Sequence, residues 1–106
     1  MPHLTTHVLD AASGTPATGI EIALADAAGS PVATAVTDGD GRAALGPDLL
    51  APGDYTLRFE TRAHFAARGV DAFYPFVTVT FTVTDDRHYH VPILLSPFAY
   101  STYRGS

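Results

Sequence analysis

The sequence contains no cysteine and no lysine, and only 16% of its residues are charged. Without cysteine there are no disulfides, no thiolate metal ligands and no cysteine nucleophile. Without lysine, every cationic side chain is an arginine; the six of them face eleven acidic residues, for a net charge of −5. No basic stripe exists, which argues against nucleic acid and against anionic membrane as partners. The apolar runs are all far shorter than the ~20 residues of a membrane-spanning helix. The opening segment, Met1 to His7, lacks a charged stretch followed by an apolar one, so no secretory signal is read and the expected location is cytoplasmic. The charged fraction lies below the roughly 25% usual for soluble domains. A small surface so poor in charge is one that an oligomer would hide.

What is present is a chain of 106 residues, 46% hydrophobic, with punctuation by proline and glycine. That length suits one domain spanning 1–106. Leu4–Asp10, Ile20–Ala25, Val32–Thr37 and Tyr55–Thr61 read as strands, rich in β-branched or alternating residues and bounded by turn chemistry. Ala43–Leu45 reads as a short edge, and Phe76–Thr84 is an unbroken β-branched and aromatic run. Tyr89–Leu95 and Phe98–Tyr103 close the series. Only Ala63–Arg68 reads as helix. Seven or eight short strands at this spacing predict an all-β, two-sheet antiparallel sandwich with one short helix.

Five histidines carry the chemistry that titrates near neutrality: His3, His7, His64, His88 and His90. His88 and His90 stand two apart on a strand, hence on one face. Alternation places Thr5, His7 and Leu9 together on another strand. If His7 and His90 meet across strands, they can hold one proton between them and supply base and acid together. The commoner fate of such residues is a half-exposed strand histidine with no chemistry, and both readings stand. His-x-His on a strand also suits zinc, with a third histidine completing the set; Asp85 and Asp86 are the nearest acids in sequence to support it. Arg42 follows Asp38-Gly39-Asp40-Gly41, a tight loop that could present its donor fork to a carbonyl-rich ligand, although a solvated turn arginine is commoner. The loop superficially resembles calcium ligation but lacks the downstream glutamate and flanking helices. No G-x-S-x-G elbow or Ser-His-Asp pattern supports a covalent serine mechanism.

Leu4-Thr5-Thr6-His7-Val8-Leu9-Asp10, Asp40-Gly41-Arg42, His88-Tyr89-His90-Val91-Pro92 and Leu94-Leu95-Ser96-Pro97 occur in one order, closed by Tyr100-Ser101-Thr102-Tyr103-Arg104-Gly105-Ser106. Together they resemble the transthyretin-like family over essentially the whole chain. The closing Tyr-Arg-Gly-Ser resembles its 5-hydroxyisourate hydrolase branch rather than the hormone carriers. The resemblance implies a sandwich of about eight strands with the first strand beside that of His90 and the last on the other side. It implies a homotetramer, a dimer of dimers, with a small-molecule substrate bound in a channel at the subunit junction. His7, Arg42, His90 and Ser106 match the family's catalytic positions, and His7, Arg42 and Tyr103 contact substrate. His88 matches a histidine that is not the main catalytic group. The implied reaction opens the six-membered ring of 5-hydroxyisourate by amide C–N hydrolysis, with no metal or organic cofactor. The alternative is a non-catalytic transthyretin-like carrier of a small ligand.

Overall fold

Leu4–Asp10 forms the strand on which the site is hung, β1, with Leu4, Thr6, Val8 and Asp10 buried and Thr5, His7 and Leu9 half-buried on the opposite face. The computed structural model describes residues 3–106; Met1 and Pro2, which open the segment read for a targeting signal, lie outside the described residues. The remaining elements in chain order are β2 (Thr15–Pro16), β3 (Glu21–Asp26), β4 (Pro31–Val36), β5 (Arg42–Leu45), β6 (Gly53–Phe59), α1 (Thr61–Ala66), β7 (Val77–Val83), β8 (Tyr89–Ser96) and β9 (Ala99–Thr102).

Two sheets result. One runs β2-β1-β8-β9, with β5 also paired to β1; the other runs β4-β3-β6-β7. The all-β sandwich read from the sequence is thus what the chain forms. Its strand pairs are antiparallel except one: β1 and β8 run parallel, with Thr5 opposite His90 and His7 opposite Pro92. A parallel pair needs a long crossover, and here almost the whole chain, including the second sheet, supplies it. Between the sheets lie Leu4, Val8, Ile22, Leu24, Leu57, Phe59, Val77, Val83, Ile93 and Leu95, all nearly inaccessible to solvent. Burying that apolar surface on two alternating faces is what drives the two sheets together.

The single helix begins two residues earlier than the sequence suggests. Its chain unwinds through Gly69, whose φ of 69° lies in the left-handed region, while Val70 N–H returns to Phe65 O at 3.0 Å. The turn therefore claims residues that composition alone assigns to helix. The last strand is also shorter than expected. Pro92 has no N–H to offer the ladder. β9 stops at Thr102, whose hydroxyl donates to Pro92 O at 2.7 Å. Tyr103 and Arg104 swing away, and pairing resumes only where Gly105 N–H donates to His90 O at 2.8 Å. Among the described residues, no helix is long and apolar enough to cross a membrane.

Candidate active site

The outward face of β1 and its neighbours gathers the polar groups. Arg42 stands directly opposite His7 across the antiparallel β5–β1 pair, so both side chains share the face that carries Thr5. The register of β8 adds His90 to the same face, opposite Thr5 and two positions from His7. The two histidines read as partners thus lie on one face of one sheet, diagonally placed.

Arg42 is aimed by its loop. Asp38 accepts the N–H groups of Asp40 and Arg42 through Oδ1 at 2.9 and 3.0 Å. The Arg42 N–H first, then that of Asp40, holds the Asp38 carboxyl below the usual carboxylate range. Gly41 O accepts the Val8 N–H at 2.7 Å, strapping the loop to β1. With φ of 76° and Val8 O pressed where a Cβ would stand, position 41 admits only glycine. His7 Nε2 then meets Asp40 O at 2.9 Å. A carbonyl only accepts, so this nitrogen carries the proton and a neutral His7 leaves Nδ1 unprotonated.

His90 is held from three sides. Its Nδ1 lies 2.8 Å from Thr5 Oγ1, its carbonyl takes the Gly105 N–H, and Gly105 packs against its ring so closely that an added Cβ would stand 2.5 Å from Cδ2. Partial burial, and then the positive charges of Arg42, His7 and His88, push the His90 imidazole below its ordinary value. It is therefore neutral at neutral pH, the state a general base requires. His88, exposed at the edge, is 2.7 Å from the same Thr5 hydroxyl, and its ring stacks on that of His90 with centroids 6.5 Å apart.

The other expected residues fall differently. Ser106, exposed, directly follows the Gly105–His90 bridge. Tyr103 and Arg104 instead line a cavity of about 250 Å³ with Val79, Phe81, Tyr89 and Val91, on the core side of β8. There the Arg104 guanidinium lies 4.3 Å over the Tyr89 ring. Asp85, weighed as support for metal-binding histidines, is engaged by the Tyr89 hydroxyl at 3.1 Å instead. Among the described residues, no three His, Asp or Glu side chains converge as metal ligands. A cavity of about 550 Å³ lies on the outer face of the other sheet, around Arg58 and Glu60; none of the candidate residues is there. Arg58 is occupied by Glu60 at 3.1 Å and by the Phe76 ring.

His3 and His64 are structural. His3 accepts the Leu50 N–H through Nδ1 at 2.8 Å. His64, on α1, reaches Asp10 Oδ2 with Nε2 at 2.8 Å and accepts from Arg68 Nη1 through Nδ1 at 3.0 Å. Thr5 and Gly105 are site residues that composition and spacing did not reveal. The alternation of β1 did place Thr5 beside His7, but only the register of β8 brings it to His90.

The chain is similar to known proteins throughout. The model of the HIUase/Transthyretin family matches residues 4–105. A 5-hydroxyisourate hydrolase of Caulobacter vibrioides is 46% identical, with all of both chains covered. The structure of Klebsiella pneumoniae 5-hydroxyisourate hydrolase superposes with a TM-score of 0.91 at 38% identity, covering 100% of each chain. Sea bream transthyretin, solved in complex with thyroxine, superposes with a TM-score of 0.89 at 32% identity, covering 97% of this chain and 94% of that one. By sequence and by architecture, the chain belongs to the HIUase/Transthyretin family.

Proposed function

We propose that this chain is a hydrolase that opens the six-membered ring of 5-hydroxyisourate, and that His7, Arg42, His90 and Ser106 carry the reaction. The observation that supports it most is the shared outward face of His7, Arg42 and His90, with Arg42 opposite His7. The product of amide C–N hydrolysis is 2-oxo-4-hydroxy-4-carboxy-5-ureidoimidazoline, a step in urate degradation.

One histidine of the pair removes a proton from water as its oxygen attacks the ring carbonyl carbon. Arg42, with its fork of donors, holds the carbonyl oxygens and stabilises the charge of the tetrahedral intermediate. The other histidine, with Ser106, delivers a proton to the departing nitrogen. Burial and the neighbouring charges keep His90 in the neutral form that can accept a proton. Tyr103, which in the single chain lines the cavity on the core side of β8, is in this reading a residue that bounds the substrate.

The assembly in this reading is a homotetramer, a dimer of dimers, each copy one domain over 1–106. Support comes from a low-charge surface and from exposed Phe73, Phe98, Tyr100 and Tyr103. A second copy across the histidine face would exclude water from it and strengthen each electrostatic contact.

The sandwich itself does not separate a hydrolase from a carrier, because sea bream transthyretin superposes almost as well. The residues do. A channel for an apolar ligand gains nothing from desolvating two histidines and an arginine. The test is to generate 5-hydroxyisourate with uricase and follow the decay of its ultraviolet absorbance. Acceleration by this protein supports the hydrolase; an unchanged spontaneous rate leaves the carrier.

A further inference from the structure

The chain crosses from the second sheet to the first between Val36, where β4 ends, and Arg42, where β5 begins. The fold fixes both ends of this crossing. At one end, the hydroxyl of buried Thr37 accepts the Ile20 N–H at 2.9 Å and donates to Ala17 O at 2.7 Å. At the other, Gly41 O takes the Val8 N–H at 2.7 Å. Between them, exposed Asp38 organises the turn. Its Oδ1 accepts the N–H groups of both Asp40 and Arg42. Its backbone adds two bonds: Asp38 N–H donates to Arg42 O, and Asp38 O accepts the Gly41 N–H, each at 2.9 Å.

The last of these bonds orients a peptide plane. The Gly41 N–H and the Asp40 C=O belong to one trans peptide unit, so they point in opposite directions. With the N–H turned to Asp38 O, the carbonyl is turned away from it, and His7 Nε2 lies 2.9 Å from that oxygen. One residue thus holds two members of the site: the backbone of Arg42 directly, and the ring of His7 through Asp40 O.

We propose that Asp38 is a positioning residue, which aims Arg42 and commits the His7 Nε2–H to Asp40 O, so that His7 gains and gives up protons through Nδ1 alone. The proposal rests on the hydrolase reading and deepens it. A histidine that took a proton on one nitrogen and released it from the other would need its tautomer reset before the next cycle. His7 needs no reset. As a base it takes a proton from water on Nδ1; as an acid it gives one to the departing nitrogen from Nδ1. In both states Nε2–H stays on Asp40 O. The loop asks Asp38 for an acceptor oxygen, which an asparagine also offers.

The test begins with the wild-type protein in the uricase-coupled assay; failure there sinks the hydrolase reading, whatever Asp38 does. Nitrogen NMR of labelled histidine, which needs no substrate, should find neutral wild-type His7 protonated at Nε2. With activity established, Asp38→Ala should lower kcat by the ~10²-fold that a misplacement of about 1 Å produces. Asp38→Asn should keep most of the activity. The titration midpoint of His90 is read in the same variants, because Arg42 and His7, with His88 and burial, hold it down. Deleting a carboxylate's charge alone would lower a nearby imidazole's midpoint. Asp38→Ala should instead raise it, as the two repelling groups leave their places, and Asp38→Asn should not. The proposal is overturned by wild-type His7 protonated at Nδ1, by wild-type kcat in Asp38→Ala, by Asp38→Asn as slow as Asp38→Ala, or by a His90 midpoint that does not rise in Asp38→Ala.

Discussion

Two histidine clusters hang on the two faces of β1 and do opposite things. On the outward face, Thr5 and His7 meet His90, His88 and Arg42. On the inward face, at the end of the same strand, Asp10 meets His64, which Arg68 holds from its other side. The inward cluster is saturated. Arg68 donates to His64 Nδ1, so that nitrogen carries no proton, and Nε2–H is committed to Asp10, only 2% exposed. Burial alone would push the Asp10 carboxyl up, but the hydrogen bond from His64, with those from Ser13 and Ala12, holds it below its ordinary value. One tautomer is locked, and α1 is tied to the sheet. In the outward cluster a single hydroxyl proton serves two imidazoles, so the tautomer is free to change. A histidine becomes chemical when its hydrogen-bond partners leave it a choice, and structural when they remove it.

The sharpest break in this contrast comes from truncating the outward imidazoles. His7→Ala and His90→Ala are each expected to lower turnover by about 10²–10⁴-fold, with thermal unfolding unchanged. Wild-type-like turnover in His90→Ala would remove the mechanism. Truncating the inward cluster should do the reverse. Asp10→Ala leaves a buried His64 N–H without its acceptor and should cost about 1–3 kcal/mol in denaturant unfolding, while the protein that remains folded keeps its specific activity. A large loss of specific activity at full stability would show that the two faces are not independent.

The pH dependence sharpens the same contrast. The Asp10 carboxyl titrates lower folded than unfolded, so its stabilisation is complete above the unfolded value of 3.8 and is lost as pH falls through the folded one. The stability gap between wild type and Asp10→Ala should therefore persist at neutral pH and close only in acid. For His90, an NMR titration should find the imidazole below 6.5. Arg42→Ala should move that midpoint upward by removing one repelling charge, though burial still holds it down. A midpoint unmoved by Arg42→Ala would place the guanidinium away from His90. The smallest effect is expected at Gly105→Ala. The methyl must push the His90 ring aside, for a loss of about tenfold in turnover, or ~1.4 kcal/mol of barrier, with melting little altered.

Much of this was legible before any coordinates. The alternation of Tyr55, Leu57 and Phe59 and the β-branched run of β7 declare half-buried strands, because a period of two has one physical reading. That same alternation put Thr5 and His7 on one face, and His88 and His90 on another. The separate motifs, in order, carried the family. The boundaries that slipped did so for tertiary reasons. Helix α1 ends early because Gly69 takes a left-handed turn behind it, and β9 stops early because Pro92, a residue of a different strand, withholds an N–H.

Composition and local pattern determined the strands, their faces and the residue types available for proton transfer, since these depend on neighbours along the chain. The tertiary structure decided the rest, because a register joining residues 5 and 90 is a contact across the whole chain. It made Thr5 the bridge between two histidines, gave Gly105 its place against His90, and sent His64 inward to Asp10. The five imidazoles are identical in the sequence; burial and the number of available hydrogen-bond partners are what set them apart.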